Sequence, residues 1–147
     1  MCTLEKRGNL FILTLTSEDE HRLNPTRIDA IRSALHRIRS DTTSLSGSVL
    51  ITTAHGKFFS NGYDLAWAGS SLDKIRLMSS KLRALVGDLI SFPMPTIAAV
   101  TGHACAAGFI LALSHDYIVM RKDRGFLYMS EMNIGLKIPA WFMSVIR

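Results

Sequence analysis

The sequence predicts an α/β fold, and three observations carry that reading. Short apolar runs suited to strands alternate with segments of helical period. Clusters of Gly, Ser and Asn punctuate the joins. The run TIAAV at 96–100 is apolar throughout, as in a sheet covered on both faces. At 147 residues the chain can bury a core of its own. No internal repeat, low-complexity tract or interdomain linker divides it, so residues 1–147 are read as a single domain.

The elements follow in order. The N-terminal MCTLEKRGNLFILTLTS contains one strand, LFILTLT at 10–16, and lacks the small-residue cleavage pattern of a signal peptide. Asn24 followed by Pro25 starts a helix, with a capping side chain and then proline in the first turn. Ile28, Ile31, Leu35 and Ile38 share its apolar face. LSGS at 45–48 is a turn, and VLITT at 49–53 is the next strand. KFFSNGYDL, 57–65, runs from a buried strand into a turn and then to a helix cap at Asp64. After a short loop with Gly69, Ser70 and Ser71, Asp73 caps a long helix that ends before Pro93. Its apolar face is Ile75, Met78, Leu82, Leu85 and Leu89. The strand at 96–100 leads to a buried helix at 106–114, AAGFILALS. YIVM and FLYM are two further strands, and a last helix begins at PAWFMSVIR.

Composition excludes several function classes. Hydrophobic residues make up 48% and charged residues 20%, the balance of a globular protein. No apolar run approaches the ~20 residues of a membrane-spanning helix. The net charge is +5. Arg27, Arg32, Arg37 and Arg39, with Asp29 among them, read as a solvated helix face. Without an RNP-like motif, a zinc finger or a long basic run, nucleic acid is not an expected partner. A modest positive balance suits a small anionic ligand carrying phosphates. Cys2 and Cys105 have no C-x-x-C spacing, which points away from a disulfide scaffold and toward a reducing compartment. His55, His103 and His115 lack metal-ligand spacing, so no metal site is expected. There is no G-x-S-x-G elbow. Nothing adjacent in sequence activates Cys105, which reads as a small buried cysteine.

Two stretches carry chemistry. In KFFSNGYDL, Gly62 follows a buried strand at the mouth of a helix. In TGHACAAGFILALSHD, residues 101–116, Gly102 and Gly108 flank a run of small residues in the same situation. Small side chains let a ligand approach the backbone, and free N–H groups at a helix start favour developing negative charge. Either stretch alone also fits tight helix–sheet packing. Together they allow two N–H donors from separate loops to converge on one oxygen, the design of an oxyanion hole.

FFSNGYDL and VTGHACAAGFILALSHD resemble the two signature loops of the enoyl-CoA hydratase/isomerase (crotonase) family. HRLNP after the first strand and YMSEMNIG near the end extend the resemblance along the chain. It implies a crotonase-like ββα spiral core and assigns roles. The oxyanion donors are the backbone N–H groups of Tyr63 and Ala107, with Gly62 and Gly108 as motif glycines. Tyr63's phenol has no part in that job. CoA runs beside His21, Arg22, Ala66 and Ala68. SEMNIG places Glu131 at the catalytic glutamate. Met129, Met132 and Ile134 flank it in sequence, and such surroundings desolvate a carboxylate and suit it to general-base work.

The hydratases of the family use two glutamates, and the second position here is Ile110. A single base can take a proton from C2 and return it at C4. That pattern, with IGLKIPAWF after Glu131, resembles the Δ3,Δ2-enoyl-CoA isomerase branch, nearest its plant peroxisomal members. The resemblance implies an acyl-CoA thioester as substrate, no cofactor, no membrane span and a trimer-like homo-oligomer. Hydration or thioester hydrolysis on the same oxyanion hole is the alternative chemistry. Family chains continue past the position of Arg147 with helices that cover the acyl pocket. The chain therefore reads as lacking the family's C-terminal helical region, with Trp141, Phe142 and Val145 left as exposed apolar surface. A shortened, non-catalytic acyl-CoA- or partner-binding remnant is the rival from a different class. The family suggests a peroxisomal setting, whereas the last residues, SVIR, hold no peroxisomal tripeptide, which leaves a cytoplasmic one open.

Overall fold

The computed structural model describes residues 1–41 and 46–147. The elements run β1 (Cys2–Arg7), β2 (Leu10–Leu15), α1 (Pro25–Ser40), β3 (Val49–Ala54), β4 (Phe58–Ser60), α2 (Leu65–Ala68) and α3 (Leu72–Ile90). They continue with β5 (Thr96–Val100), β6 (His103–Cys105), α4 (Ala107–Leu113), β7 (Tyr117–Met120), β8 (Leu127–Tyr128), a 3-10 helix over Glu131–Ile134 and α5 (Ala140–Ile146).

A ββα unit recurs along this order. After the β1–β2 hairpin and α1, the pairs β3–β4, β5–β6 and β7–β8 are each followed by helix. The first strand of each later pair joins a five-stranded sheet of order β1-β2-β3-β5-β7. The second joins a three-stranded sheet of order β4-β6-β8. Only β1–β2 is antiparallel, pairing Cys2 with Leu15 through Arg7 with Leu10. The other pairings are parallel. This alternation between two sheets winds the chain as the expected spiral and brings successive strand ends into one region.

The core lies between the larger sheet and the helices. Leu13 and Leu15 of β2, Leu50 of β3 and Ala98 of β5 face it. Ile28, Ile31, Leu35 and Ile38 of α1 and Met78, Leu82, Leu85 and Leu89 of α3 meet them, all buried. Full burial of each such large aliphatic side chain is worth about 1.5–3 kcal/mol. Asn24 caps α1, its side chain accepting the Arg27 N–H at 3.0 Å.

Several expectations change. The N-terminal stretch forms a hairpin of two strands instead of one. β1 is exposed along its polar residues and is held by pairing to β2. β5 alternates buried and half-buried positions, so its second face is only partly covered. The cap of α3 is Ser71, whose hydroxyl accepts the Lys74 N–H, and Asp73 sits in the first turn. A short helix, α2, precedes the Gly69–Ser71 loop. Leu45 of the 45–48 turn lies outside the described residues, and a turn is present at residues 46–47.

The arginines of α1 are not a uniformly solvated face. Arg27 is buried and donates to Arg22's carbonyl, Ser17 and Asp19, tying the loop after β2 to the helix. Arg32 and Arg39 reach α3, donating to the Asp88 carboxylate at 2.7 Å and the Asp88 carbonyl at 2.8 Å. Arg37 remains exposed. At the other end Phe142 is buried, not exposed, because α5 folds back against α4. Trp141 and Val145 are half-buried, and Trp141 donates its indole N–H to Ser79 at 3.2 Å.

Candidate active site

The two glycine-containing loops touch. Gly62 has φ +77°, a conformation that L side chains rarely adopt. A Cβ there would lie 3.1 Å from the Cys105 carbonyl oxygen and 3.5 Å from the Ala107 nitrogen. Gly108 is required for a different reason: a Cβ on it would run into the backbone of Ser60, so its absence lets α4 lie directly on β4. Phe59 is fully buried and anchors β4, while Phe58 is half-buried against the His103 ring.

Hydrogen bonding leaves the two candidate amides free. Leu23 pairs with Tyr63 in a parallel bridge in which Leu23 N–H donates to the Gly62 carbonyl at 2.7 Å. Asp64 N–H donates to the Leu23 carbonyl at 3.0 Å. The bridge uses the groups on either side of Tyr63 and turns Tyr63's own N–H away. Asp64 then caps α2 by accepting the Trp67 N–H at 3.0 Å, as the sequence suggests. Ala107 opens α4, where first-turn amides have no partner within the helix. Among the described residues neither amide donates to a backbone carbonyl. Ala106, just before, holds φ +50°, ψ −118°, a strained conformation for a residue with a Cβ that aims the Ala107 N–H.

Two adjoining cavities share Tyr63, Leu65, Glu131 and Leu136 as lining residues. The first, about 270 Å³, adds Arg22, Asn61 and Ala106. The second, about 220 Å³ and more apolar, adds Ile75, Ser79, Pro139 and Phe142. Glu131 starts the 3-10 helix and is 7% exposed, and its Oε2 is buried without a hydrogen-bond partner. Among the described residues it is the only carboxylate lining either cavity. Ile110, the position of a second family glutamate, is fully buried in α4.

Tyr63's hydroxyl is buried without a partner as well. Burial pushes the phenol above its usual range, the Glu131 charge adds to this, and nearby Ser79 opposes it from outside hydrogen-bond geometry. Arg22 and Asn61 both donate to Glu20, at 2.8 and 2.7 Å, which fixes the rim of the first cavity. Those bonds, Asn61's first, hold the Glu20 carboxyl below the usual range.

The residues singled out from the sequence thus divide. Tyr63, Ala107, Gly62, Arg22 and Glu131 gather around one site, joined by Ala106, while Gly108 seats α4 on β4. His21 is buried and turns elsewhere: its Nδ1 meets the Phe58 carbonyl at 2.8 Å, and it lines a separate cavity with Lys57 and His55. Burial lowers its affinity for a proton, so the neutral ring donates through Nδ1–H. On α2, Ala66 is exposed and Ala68 is buried in the core. Of the apolar cavity, sequence reasoning leaves out Ser79 and Pro139 and places Phe142 on exposed surface. Tertiary packing brings α5 to Ser79, which accepts from Trp141.

Comparison with known proteins places this arrangement. The family model described as "Enoyl-CoA hydratase/isomerase" matches residues 5–147. Enoyl-CoA delta isomerase 1, peroxisomal, of Arabidopsis thaliana is 68% identical over 147 residues, covering 100% of this chain and 61% of that protein. Enoyl-CoA delta isomerase 2, peroxisomal, of the same plant is 55% identical over 153 residues, covering 100% of this chain and 63% of that protein. An enoyl-CoA hydratase structure from Mycobacterium ulcerans superposes with a TM-score of 0.87 at 26% identity, covering 99% of this chain and 62% of that one. The chain therefore spans about three-fifths of the length of these relatives. Its two-sheet spiral, its paired amide loops and the match over nearly all its residues make it a member of the enoyl-CoA hydratase/isomerase family, with the crotonase fold.

Proposed function

We propose that the protein moves the double bond of a 3-enoyl-CoA to C2, as an enoyl-CoA isomerase of fatty-acid β-oxidation. The observation that carries this reading is Glu131, a buried carboxylate with a free oxygen that is the only acid on the two cavities among the described residues. The thioester carbonyl of the substrate accepts from the Tyr63 and Ala107 amides. Glu131 removes a proton from C2; that C–H pair forms C1=C2 while the carbonyl π pair moves to the thioester oxygen. Collapse of this enolate re-forms the carbonyl, makes C2=C3 and sends the C3=C4 π pair to C4 to bond the proton. The same carboxyl group then returns the proton to C4. Each such donor contributes about 2.7–4 kcal/mol to the transition state, and the positioned base about 10²–10⁴-fold in rate.

Addition of water needs a second acid–base group to manage the water molecule. A buried isoleucine at 110 supports isomerisation over hydration. The only reactant in this reading is the acyl-CoA, with no added cofactor. Arg22 and the rim around it suit the CoA side, and the apolar cavity suits the chain. The printed names of the plant relatives support a peroxisomal setting, and the family resemblance supports a homo-oligomer.

The test is Glu131→Gln, which keeps the shape but cannot accept a proton. It should leave acyl-CoA binding nearly intact and lower kcat by at least about 10²-fold. Isomerisation near the wild-type rate in the folded variant, or efficient hydration of 2-enoyl-CoA by the wild type, overturns the proposal.

A further inference from the structure

The oxyanion reading uses only Tyr63's backbone and leaves its phenol without a task. Yet the hydroxyl is buried and unpartnered, and so is Oε2 of Glu131. Both residues line both cavities. One is a donor and the other, when ionised, an acceptor. A buried polar group with no partner is costly, so two complementary ones on a shared cavity wall call for each other.

We propose that Tyr63 is a positioning residue for Glu131: its O–H donates to the carboxylate, directly or through one bridging water, and stabilises the charged form that takes the C2 proton. This rests on Glu131 being the base. One residue would then serve both halves of the reaction, its N–H holding the thioester oxygen and its O–H holding the base.

The surroundings favour this pairing over the alternatives. The ring is held from α5 by Phe142, with centroids 6.4 Å apart. Ser79 also lies near the phenol without a hydrogen bond to it and accepts from Trp141 at 3.2 Å; of these two neighbours only Glu131 carries a charge that the phenol O–H would stabilise. The charged groups on the cavities are Arg22 from the loop before α1, Arg76 from α3 and Lys137 after the 3-10 helix. Arg22 pairs with Glu20 at 2.8 Å, Arg76 with Asp73 at 3.4 Å, and Lys137 is exposed. The Cys105 thiol of β6 also feels the Glu131 charge, and burial pushes it up and keeps it neutral. Among these groups the buried donors are the phenol and the Cys105 thiol, and the thiol engages Tyr128.

The chain has three tyrosines, Tyr63, Tyr117 and Tyr128. Labelled at Cζ with carbon-13, they give three resonances, which Tyr117→Phe and Tyr128→Phe assign by elimination. In the wild type, the Tyr63 resonance should shift in one step on acidification, as the Glu131 carboxylate takes up a proton. In Glu131→Gln that step should vanish while the other two resonances stay in place. A flat Tyr63 resonance, or a step that survives in Glu131→Gln, overturns the proposal. In activity, Tyr63→Phe should move the acid limb of the kcat/KM profile up by about one pH unit with KM little changed. A uniform loss of rate with the limb unmoved also overturns it. The two readings fail separately. A coupled resonance with an active Glu131→Gln refutes the base assignment alone, and a flat resonance with an inactive Glu131→Gln refutes the Tyr63 role alone.

Discussion

Replacing Gly108 by alanine adds one methyl group at the contact between α4 and β4. Built on the backbone as it stands, that carbon lies 2.8 Å from the Ser60 carbonyl carbon and Cβ, and closer still to the carbonyl oxygen. Comfortable contact begins near 3.4 Å. The obstacle is backbone, so no rotamer change relieves it, and α4 must lift from the smaller sheet by about an ångström. Overpacking of this kind costs about 1–3 kcal/mol, or a fall in Tm of roughly 3–10 °C for a chain of this size. Ala107 is the preceding residue, so its amide moves with the helix, and a 1 Å misplacement is worth about 10²-fold in rate. Gly87→Ala is the control. The same methyl group on α3 meets nothing within 4 Å and should raise stability by about 0.5–1 kcal/mol. Thermal unfolding and an isomerase assay on both variants decide. If Gly108→Ala melts with the wild type and keeps its rate, the α4–β4 contact does not set the position of the Ala107 amide.

Two further predictions concern stability. His115 is buried between the Leu111 carbonyl, at 3.0 Å from Nδ1, and the Thr52 hydroxyl, at 2.8 Å from Nε2. Burial pulls its pKa down to about 4, against smaller upward effects of backbone hydrogen bonds and Asp116. The unfolded chain protonates this imidazole near 6.5 and the folded chain only near 4, so between these values the unfolded state binds more protons. The stabilisation is intact above pH 6.5 and lost as pH falls to about 4, up to roughly 3 kcal/mol. Urea midpoints measured across that window should fall less steeply in His115→Gln than in the wild type. Ala106→Gly removes the Cβ from a strained left-handed backbone. That gain offsets the unfolded-state entropy of glycine, so stability should stay within about 1 kcal/mol of wild type or rise. A larger loss in urea unfolding would show that the Ala106 methyl group is needed for packing.

Local chemistry made part of the fold legible. Asn24–Pro25, the faces of α1 and α3, and the cap at Asp64 each follow from contacts within a few residues. β1 was missed because Cys2–Arg7 is mostly polar, and its strand state comes from pairing with β2. The pieces of the smaller sheet are two or three residues long, too short for a period to declare itself. Arg27 reads as solvated by type, and its burial depends on Ser17 and Asp19 closing over it. At the candidate site, motif order singles out Gly62, Tyr63, Ala107 and Glu131 from the sequence. The phenol's surroundings were not, because α3 and α5 supply them from distant sequence.

The caps of α1 and α2 are joined: the Asn24 side-chain amide donates to the Asp64 carboxylate at 3.1 Å, next to the Leu23–Tyr63 bridge. Fraying of either helix start breaks the bond the two caps share. Amide exchange at Leu23, Asp64 and Trp67 should therefore be coupled, at a free energy closer to the opening of α1 and its core contacts than to fraying of the four-residue α2. A surface loop of this length ordinarily opens on its own. Here the loop that presents the Tyr63 amide inherits the protection of the interior.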